Sequence, residues 1–419
     1  MAEKEKKGNP EKTSKNWVKR IAFRKSRTET ILLPVLSVVT ALVIGAVIIA
    51  ASDIETIDAA RSILIAPGRF LRFAWSAISD AYSAMLEGAF GNPGNIIAAF
   101  REWRSTGDSA ALLNELRPLG ESIVLTAPYI FAGLGVALSF QGGLVNIGAE
   151  GQLFVSGLAS VFVSYSVTGL PRIIHLPLAF FTGFAAAGLW GFIPGYLKAK
   201  TGAHEVINTI MMNYIAFRLT DYLLSGPMAK SPSLPISPDV PVSAQIPTFL
   251  PNPVRAHWGF IIALAFAWLI HFLLYKTTFG LELRMTGKNP SASRYAGISI
   301  TAMTAITMAL SGAVAGLAGA NQVLGVDHRM VRAFSSGYGF DAIALALLGN
   351  NNPLGVVLSS LLFGFLRGGA ARMQSVAGTP VELIRIIQGV VVIFVAAPEI
   401  IRGIYRIRES RQQATAEES

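Results

Sequence analysis

The sequence predicts an all-α membrane protein, a polytopic helix bundle with about ten transmembrane helices and some broken or re-entrant segments. Three features of its 419 residues lead to this fold class. Hydrophobic residues make up 52% of the chain and charged residues only 14%, whereas soluble proteins carry about 25% charged residues. The mean hydropathy is +0.51. The 40 glycines are typical of transmembrane helices.

Ten apolar runs follow one another along the chain, and a helix needs about 20 apolar residues to cross a membrane. The first run is long and has no cleavage site directly behind it, so we expect a retained anchor. The run at 340–348 is shorter and predicts a broken or tilted helix. Gly312-x-x-x-Gly316 and Gly364-x-x-x-Gly368 predict close helix contacts. The runs are 31–51, 119–140, 152–168, 175–196, 206–225, 257–275, 301–323, 340–348, 353–373 and 381–398.

The distribution of basic residues predicts the orientation. Ten of the 35 Lys and Arg lie in the first 27 residues, which places the N-terminus in the cytoplasm. The basic segments 198–200 and 276–294 and the C-terminal tail fall on the same side if 340–350 counts as one crossing. We therefore expect a multi-pass protein of the cell membrane with both termini cytoplasmic. It would have a basic segment at 1–30, a transmembrane domain at 31–400 and a tail at 401–419.

Two segments are predicted to lie outside and one inside. Residues 226–256 are rich in Pro and Ser and predict an ordered or semi-rigid external loop rather than a linker. Within 52–116, aromatic and apolar residues recur on roughly one helical face. They predict either a helix lying in the outer membrane interface or a helix that merely covers the bundle. Residues 276–300 form the predicted cytoplasmic loop.

The composition also excludes several kinds of chemistry. Without any cysteine the chain has no disulfide, thiolate metal site or cysteine nucleophile. The five histidines are never three to five residues apart, so no local metal-ligand pair is visible. A Walker A sequence, a Ser-His-Asp motif and an HExxH motif are absent. We expect no catalytic residue, no metal and no bound cofactor. Although the pI is about 9.8, the clustered basic residues argue against nucleic acid as a partner.

A glycine-rich segment at 141–152, QGGLVNIGAEGQ, lies between two apolar runs. Four glycines in twelve residues disfavour a continuous helix, and broken backbone at membrane depth must face protein or a watery cavity. Asn146, Glu150 and Gln152 are therefore candidates for the substrate pathway. The alternative is a tight turn in which Glu150 caps a helix N-terminus. The two interpretations do not exclude each other.

Three further amides lie in apolar runs. Asn208 and Asn213 project into the run at 206–225, and Asn321 lies in the run at 301–323. Buried amides commonly hydrogen-bond between membrane helices, so helix–helix contact is the default interpretation for Asn208 and Asn213. Contact with substrate is the alternative, and all three are kept as pathway candidates.

The basic loop at 276–300 contains a candidate docking helix. Asn289 and Pro290 are typical of a helix start, and Gly297 is typical of a residue just after a helix end. The alternative is a plain loop that returns the chain to the membrane. The residues that we assign to coupling with a partner are Arg284, Gly287, Asn289, Pro290, Arg294, Tyr295 and Gly297.

Five segments resemble motifs of nucleoside-type ABC transporter permeases, within the branched-chain amino acid, ribose and galactose permease family. They are GLVNIGAEGQ at 143–152, TGAHEVINTIMMNY at 201–214, GKNPSASRYAGI at 287–298, LGVDHR at 324–329 and SGYGFDAIALALLGNNNPLG at 336–355. His204, Ser293 and Asp327 depart from the family pattern. The resemblance covers roughly residues 78–400, and the motifs occur in the family's order.

The resemblance implies an ABC importer permease fold and four kinds of partner. These are a second related permease subunit, cytoplasmic ATPases that use ATP and Mg, an extracytoplasmic substrate-binding lipoprotein, and a nucleoside substrate. It also implies that the 287–298 helix docks into a groove on the ATPase.

Two rival functions are weighed against this one. A permease of the same family could carry a simple sugar, such as ribose or galactose. An ion-coupled transporter working alone would need paired carboxylates within the membrane. Here Glu121, Glu150 and Asp341 are few and scattered, which disfavours that class.

Overall fold

The computed structural model describes residues 32–380 and 382–405. The predicted basic segment at 1–30, and residues 406–419 of the predicted tail, lie outside the described residues. Throughout the described ranges the regular structure is helical. The helices are α1 (Leu32–Ser52), α2 (Ile54–Ala60), α3 (Pro67–Phe90), α4 (Pro93–Thr106), α5 (Ala110–Gln141), α6 (Ala149–Ser166), α7 (Arg172–Thr201), α8 (Glu205–Ser225), α9 (Gly259–Lys276), α10 (Thr278–Lys288), α11 (Pro290–Tyr295), α12 (Ile300–Gln322), α13 (Tyr338–Leu348), α14 (Pro353–Ala377), α15 (Glu382–Ala396) and α16 (Pro398–Ile404).

Each of the ten predicted apolar runs falls on a helix. Within the described residues, six helices are long and apolar enough to cross a membrane: α1, α5, α7, α9, α12 with its extension to Asp327, and α14. The other four runs fall on α6, α8, α13 and α15. The polytopic helical fold is thus confirmed, and ten remains an approximate count of crossings.

The chain divides into two compact units. The described part of the first unit comprises residues 32–48 and 385–405, in which the hydroxyls of Thr40 and Tyr405 share a hydrogen bond of 2.9 Å. The second unit spans Ile49–Ile384 and contains every candidate site residue.

In the second unit, α5 and α12 are mostly buried, whereas α7 and α9 expose most of their surface. α12 packs against α7, α5 and α6, and α14 packs against α5 and α3. Both small-residue motifs lie at such contacts. A Cβ on Gly316 would lie 2.2 Å from Ala187 Cβ of α7, and one on Gly364 would lie 2.1 Å from Thr126 Oγ1 of α5. The helices can approach so closely only because glycine has no side chain at these two positions.

The segment at 52–116 forms α2, α3 and α4 before the chain enters α5. α3 buries small residues near its end against α14, where a Cβ on Gly88 would lie 2.6 Å from Arg372 Cβ. Leu71 and Trp75 are exposed on its first half. α3 thus covers part of the bundle while presenting apolar side chains outward, and its position at the outer interface remains a prediction.

The loop at 226–256 lies along the segment that follows α12. Ile246 N donates to Leu324 O at 2.9 Å, Val240 N to His328 O at 2.8 Å, and Ser237 N to Met330 O at 3.0 Å. Between α12 and His328, residues Val323–Asp327 form a π-helical turn. These bonds give the loop a defined place over one end of α12.

Candidate functional site

The glycine-rich segment joins α5 to α6 as a short unwound stretch. α5 ends at Gln141 and α6 begins at Ala149. Between them Gly143 has a φ of 70°, a left-handed conformation that favours glycine. Asn146 is fully buried, so this part of the unwound backbone faces protein, as it must at membrane depth. The predicted interruption of the helix is therefore present.

Asn146 and Gln152 form a reciprocal amide pair. Asn146 Nδ2 donates to Gln152 Oε1 at 2.9 Å, and Gln152 Nε2 donates to Asn146 Oδ1 at 3.2 Å. Asn146 Nδ2 also donates to Ser311 Oγ at 2.8 Å, and its Oδ1 accepts from Gly148 N at 2.9 Å. Ser311 Oγ donates in turn to Gly135 O of α5 at 2.7 Å. The network ties the unwound stretch to the middle of α12, and contact with substrate stays a prediction.

Glu150 is buried in the first turn of α6 and interacts with the start of α13. Its Oε2 accepts from Gly339 N at 2.6 Å, and its Oε1 accepts from the hydroxyl of Ser335. A carboxylate at a helix N-terminus is stabilised by the unpaired N–H groups there. The capping interpretation of Glu150 therefore describes its geometry, with α13 as the capped helix.

The two amides of α8 have different surroundings. Asn213 is buried, its Oδ1 accepts from Gly151 N at 2.8 Å, and its Nδ2 donates to Ile147 O at 3.0 Å. It fastens α8 to the start of α6, as the helix-contact interpretation expects. Asn208 is half-buried, and its Nδ2 has no hydrogen-bond partner in the part of the chain that the structure describes.

Asn321 lies apart from this cluster. It is ten residues beyond Ser311 on α12, which corresponds to about 15 Å along a helix axis. Asn321 is fully buried, and neither its Oδ1 nor its Nδ2 has a partner among the described residues. The structure thus brings Asn146, Gln152 and Asn213 close to the same stretch of chain and leaves Asn321 at the C-terminal end of α12.

The predicted docking helix is α11, a rigid turn that is capped at both ends. Asn289 Oδ1 accepts from Ala292 N at 3.0 Å, and Pro290 is the first helical residue. After the helix, Gly297 has a φ of 84°, and Ile298 N donates to Ser293 O at 3.0 Å. Ser293, which departs from the family motif, is fully buried.

The coupling candidates on α10 and α11 differ in exposure. Arg294 is exposed, and Tyr295 is 95% exposed. Arg284 is half-buried instead: its guanidinium lies 4.9 Å from the centre of the Tyr275 ring, and its Nε donates to Gly280 O at 3.3 Å. Arg294 and Tyr295 therefore offer the accessible surface, and Arg284 holds α10 against α9.

Gly287 connects the docking helix to the glycine-rich segment. A Cβ on Gly287 would lie 2.4 Å from Gln141 O and 2.7 Å from Gly143 N. A Cβ on Gly143 would lie 2.8 Å from the Cα of Gly287. The two backbones are in direct contact, because glycine on each side leaves no side chain between them.

A family model for the permease component of branched-chain amino acid transport systems matches residues 119–396. This range includes every candidate residue of the glycine-rich segment, α8, the α10–α11 loop and α12. The chain belongs to this permease family. It is accordingly a multi-pass membrane transport protein.

Curated relatives of the permease are subunits of ABC transporters. It is 41% identical to the guanosine ABC transporter permease protein NupP of Bacillus subtilis, over 78% of this chain and 88% of that one. It is 35% identical to the glucose ABC transporter permease protein TsgB13 of Haloferax volcanii, over 69% and 78%. It is 33% identical to the nucleoside ABC transporter permease protein NupB of Lactococcus lactis, over 69% and 82%. The resemblance to nucleoside-type permeases is confirmed. No solved structure gives a significant match.

The sequence did not indicate several polar residues of the permease. Arg367 is one of them. In the structure its Nη1 donates to Tyr129 Oη at 2.9 Å, and its guanidinium lies 4.5 Å from the centre of the Tyr338 ring. Tyr129 Oη donates to Asp341 Oδ2 at 2.8 Å. The aromatic residues that contact Arg367 are visible in the sequence. They lie far from it along the chain, however, so no local sequence pattern connects them to it.

Two carboxylates of the permease, Glu121 and Glu150, form hydrogen bonds with other groups of the chain. Glu121 accepts two hydrogen bonds from Arg255, at 2.7 and 2.6 Å, and Glu150 binds the start of α13. Within the described ranges, no group of three or more His, Asp or Glu could hold a metal ion.

Proposed function

We propose that the permease forms the translocation pathway for nucleosides in an ABC importer of the cell membrane. A second, related permease subunit would complete the pathway, and an extracytoplasmic binding lipoprotein would deliver the substrate. Cytoplasmic ATPases would supply the energy, using ATP and Mg, while this chain itself binds no cofactor and no nucleic acid. Two of the three relatives above carry nucleoside or guanosine in their names, which supports this substrate class over sugars.

The observation that carries the proposal is the exposed, doubly capped helix α11. A helix of six residues contributes little stability of its own. Its caps nevertheless hold Arg294 and Tyr295 in fixed positions, with the aromatic ring almost wholly uncovered. Arginine and tyrosine are enriched among residues that dominate binding energy in protein interfaces. A chain without a nucleotide site of its own needs such a contact to receive work from an ATPase.

The double variant Arg294→Ala, Tyr295→Ala tests this coupling. Truncation of such interface residues typically costs about 2 kcal/mol or more of association energy. We expect the variant to fold and reach the membrane but to lose co-purification with the ATPase or substrate-stimulated hydrolysis. Arg218→Ala, Tyr222→Ala is the matched control, because it removes an exposed Arg and Tyr from α8. Normal transport by the α11 variant would contradict the proposal.

The orientation can be tested with single cysteines, because the native chain has none. We propose that α11 is cytoplasmic, together with both termini, and that the 226–256 loop is outside. Ser233 and Ser291 are exposed on these two segments. Ser233→Cys should react with an impermeant thiol reagent in intact cells, and Ser291→Cys only after permeabilisation. The reverse pattern would contradict the orientation.

Uptake by the complete assembly tests the substrate class. The test uses proteoliposomes that contain both permeases, with the ATPase and ATP in the lumen and the binding protein outside. They should accumulate labelled guanosine or other nucleosides. Glucose and ribose serve as competitors, because TsgB13 is named for glucose. Uptake of a sugar without uptake of any nucleoside would refute the nucleoside proposal and leave the permease function intact.

A further inference from the structure

Two buried side chains near the far end of α12 have polar atoms without partners. Asn321 is fully buried, and within the described part of the chain neither its Oδ1 nor its Nδ2 has a hydrogen-bond partner. His257, two residues before α9, is 1% exposed, and its Nε2 likewise has no partner among those residues. The large majority of buried polar groups in proteins are hydrogen-bonded, so two adjacent exceptions call for an explanation.

The two side chains lie side by side, and glycines provide the space for them. A Cβ on Gly259 would lie 2.0 Å from Asn321 Oδ1 and 2.6 Å from His257 Nδ1. On the other side of the imidazole, a Cβ on Gly325 would lie 2.8 Å from His257 Cε1. Because Gly259 and Gly325 have no side chains, the backbones of α9 and of the π-helical turn after α12 lie directly against His257. Any larger residue at either glycine would displace the pair.

Hydrogen bonding assigns a donor and an acceptor to this pair. His257 Nδ1 accepts from Gly259 N at 3.1 Å, so the neutral imidazole carries its proton on Nε2 and offers a donor. Asn321 offers an acceptor and two donors on one planar carboxamide. Leaving these atoms unpaired disfavours the conformation seen here relative to an apolar replacement. The pair is therefore suited to a polar group that enters at another stage of transport.

A π-helical turn and the 226–256 loop meet beside this pair. The π-helical turn Val323–Asp327 directly follows α12, and π-helical turns frequently occur at functional sites. The 226–256 loop covers the turn through backbone bonds to Leu324 and His328, at 2.9 and 2.8 Å. The same loop leads directly into His257. A movement of the loop would therefore reach the turn and the polar pair together.

We propose that Asn321 and His257 recognise the base edge of a nucleoside as it passes between α9 and α12. The proposal rests on the nucleoside function proposed above. Each nucleobase edge presents an N–H donor beside an acceptor, and a carboxamide can pair with both at once, as asparagine does with adenine. The Nε2–H of His257 adds a donor next to this pairing. A simple sugar has no such planar edge.

The first test compares Asn321→Leu with the wild-type complex in proteoliposomes. Nucleoside uptake should fall about tenfold or more, since a good bidentate pair discriminates by at least that order. The melting temperature should be unchanged or higher, because the variant removes unpaired buried atoms. Gln388→Met is the matched control, as it removes another buried amide whose nitrogen lacks a partner. A lower melting temperature for Asn321→Leu, or wild-type uptake, would overturn the proposal.

A second test uses the cysteine-free background and does not depend on turnover. Leu324→Cys, which places the cysteine at a fully buried position of the π-helical turn and keeps both Asn321 and His257, should react with a small thiol reagent in the complete complex during ATP hydrolysis, and millimolar nucleoside should slow the reaction severalfold. Tyr222→Cys, an exposed position on α8, should react equally with and without nucleoside. A nucleoside that wild type imports but that fails to protect Leu324→Cys overturns this inference. Failure of wild type to import any nucleoside overturns the proposed function instead.

Discussion

Replacing Gly287 with alanine should separate ATPase docking from the response to substrate. The new Cβ would lie 2.4 Å from Gln141 O and 2.7 Å from Gly143 N, where ordinary contact begins near 3.4 Å. Both neighbours are backbone atoms and cannot rotate away. One backbone must therefore shift by about 1 Å, and overpacking of this kind costs about 1–3 kcal/mol. Alanine regains up to roughly 1 kcal/mol through helix propensity, which leaves a net cost of about 0–3 kcal/mol.

The expected result is a folded complex with a changed link between α10 and the glycine-rich segment. Gly287→Ala should still co-purify with the ATPase, because the α11 surface is untouched, but substrate-stimulated ATP hydrolysis should fall severalfold. Gly389→Ala is the control, since a Cβ there meets nothing within 4 Å. Thermal unfolding and hydrolysis with and without substrate are measured on both variants. Wild-type stability and stimulation in Gly287→Ala would refute the argument that this contact matters.

Two further predictions concern single contacts. Asn213→Leu leaves Gly151 N and Ile147 O buried without a hydrogen-bond partner from α8. The variant should therefore be destabilised by about 1–3 kcal/mol or more, which a lower melting temperature would show. An unchanged melting temperature would contradict this prediction. In the 226–256 loop, the hydrogen bond from Lys230, with the nearby Arg329, lowers the pKa of Asp239 below its ordinary 3.8. The loop is therefore stabilised above that pH and loses this contribution as the pH falls through the lowered pKa. The protection of amides near Asp239, taken relative to their intrinsic exchange rate at each pH, should therefore decrease as the pH falls below 3.8, and Asp239→Asn should abolish the change.

Much of the helical fold could be predicted from the sequence because membrane helices satisfy their own backbone within each segment. Each apolar run therefore reports a helix locally. The ends were harder to predict. α5 begins at Ala110, before the predicted run, and continues through Pro118 and Pro128. Its first turns carry Glu115 and Arg117, which an apolar pattern does not include although they remain helical.

The sequence predicted which residues belong to the candidate site, but not which groups they form hydrogen bonds with. Glycines and amides marked the break between α5 and α6, because both are unusual between apolar runs. Asn146 nevertheless bonds Ser311, which is 165 residues away, and Glu150 caps a helix that begins 188 positions later at Tyr338. Such contacts depend on how helices pack, and no local spacing encodes them. His257 is a further case, since a lone histidine beside a loop carries no pattern at all.

α12 places the two proposed sites at opposite ends of one element. It begins at Ile300, five residues after α11 ends, and reaches Asn321 near its far end. A helix of 23 residues is about 35 Å long and moves as a nearly rigid rod. Near its middle, Ser311 bonds Asn146, while Gly312 and Gly316 hold it tightly against α7. If an ATPase displaces α11 as proposed, a tilt of α12 about this tightly packed centre moves the Asn321 end in the opposite direction. Docking at one end and recognition at the other can then be coupled without any chain of side-chain rearrangements, because the rigid helix itself carries the displacement.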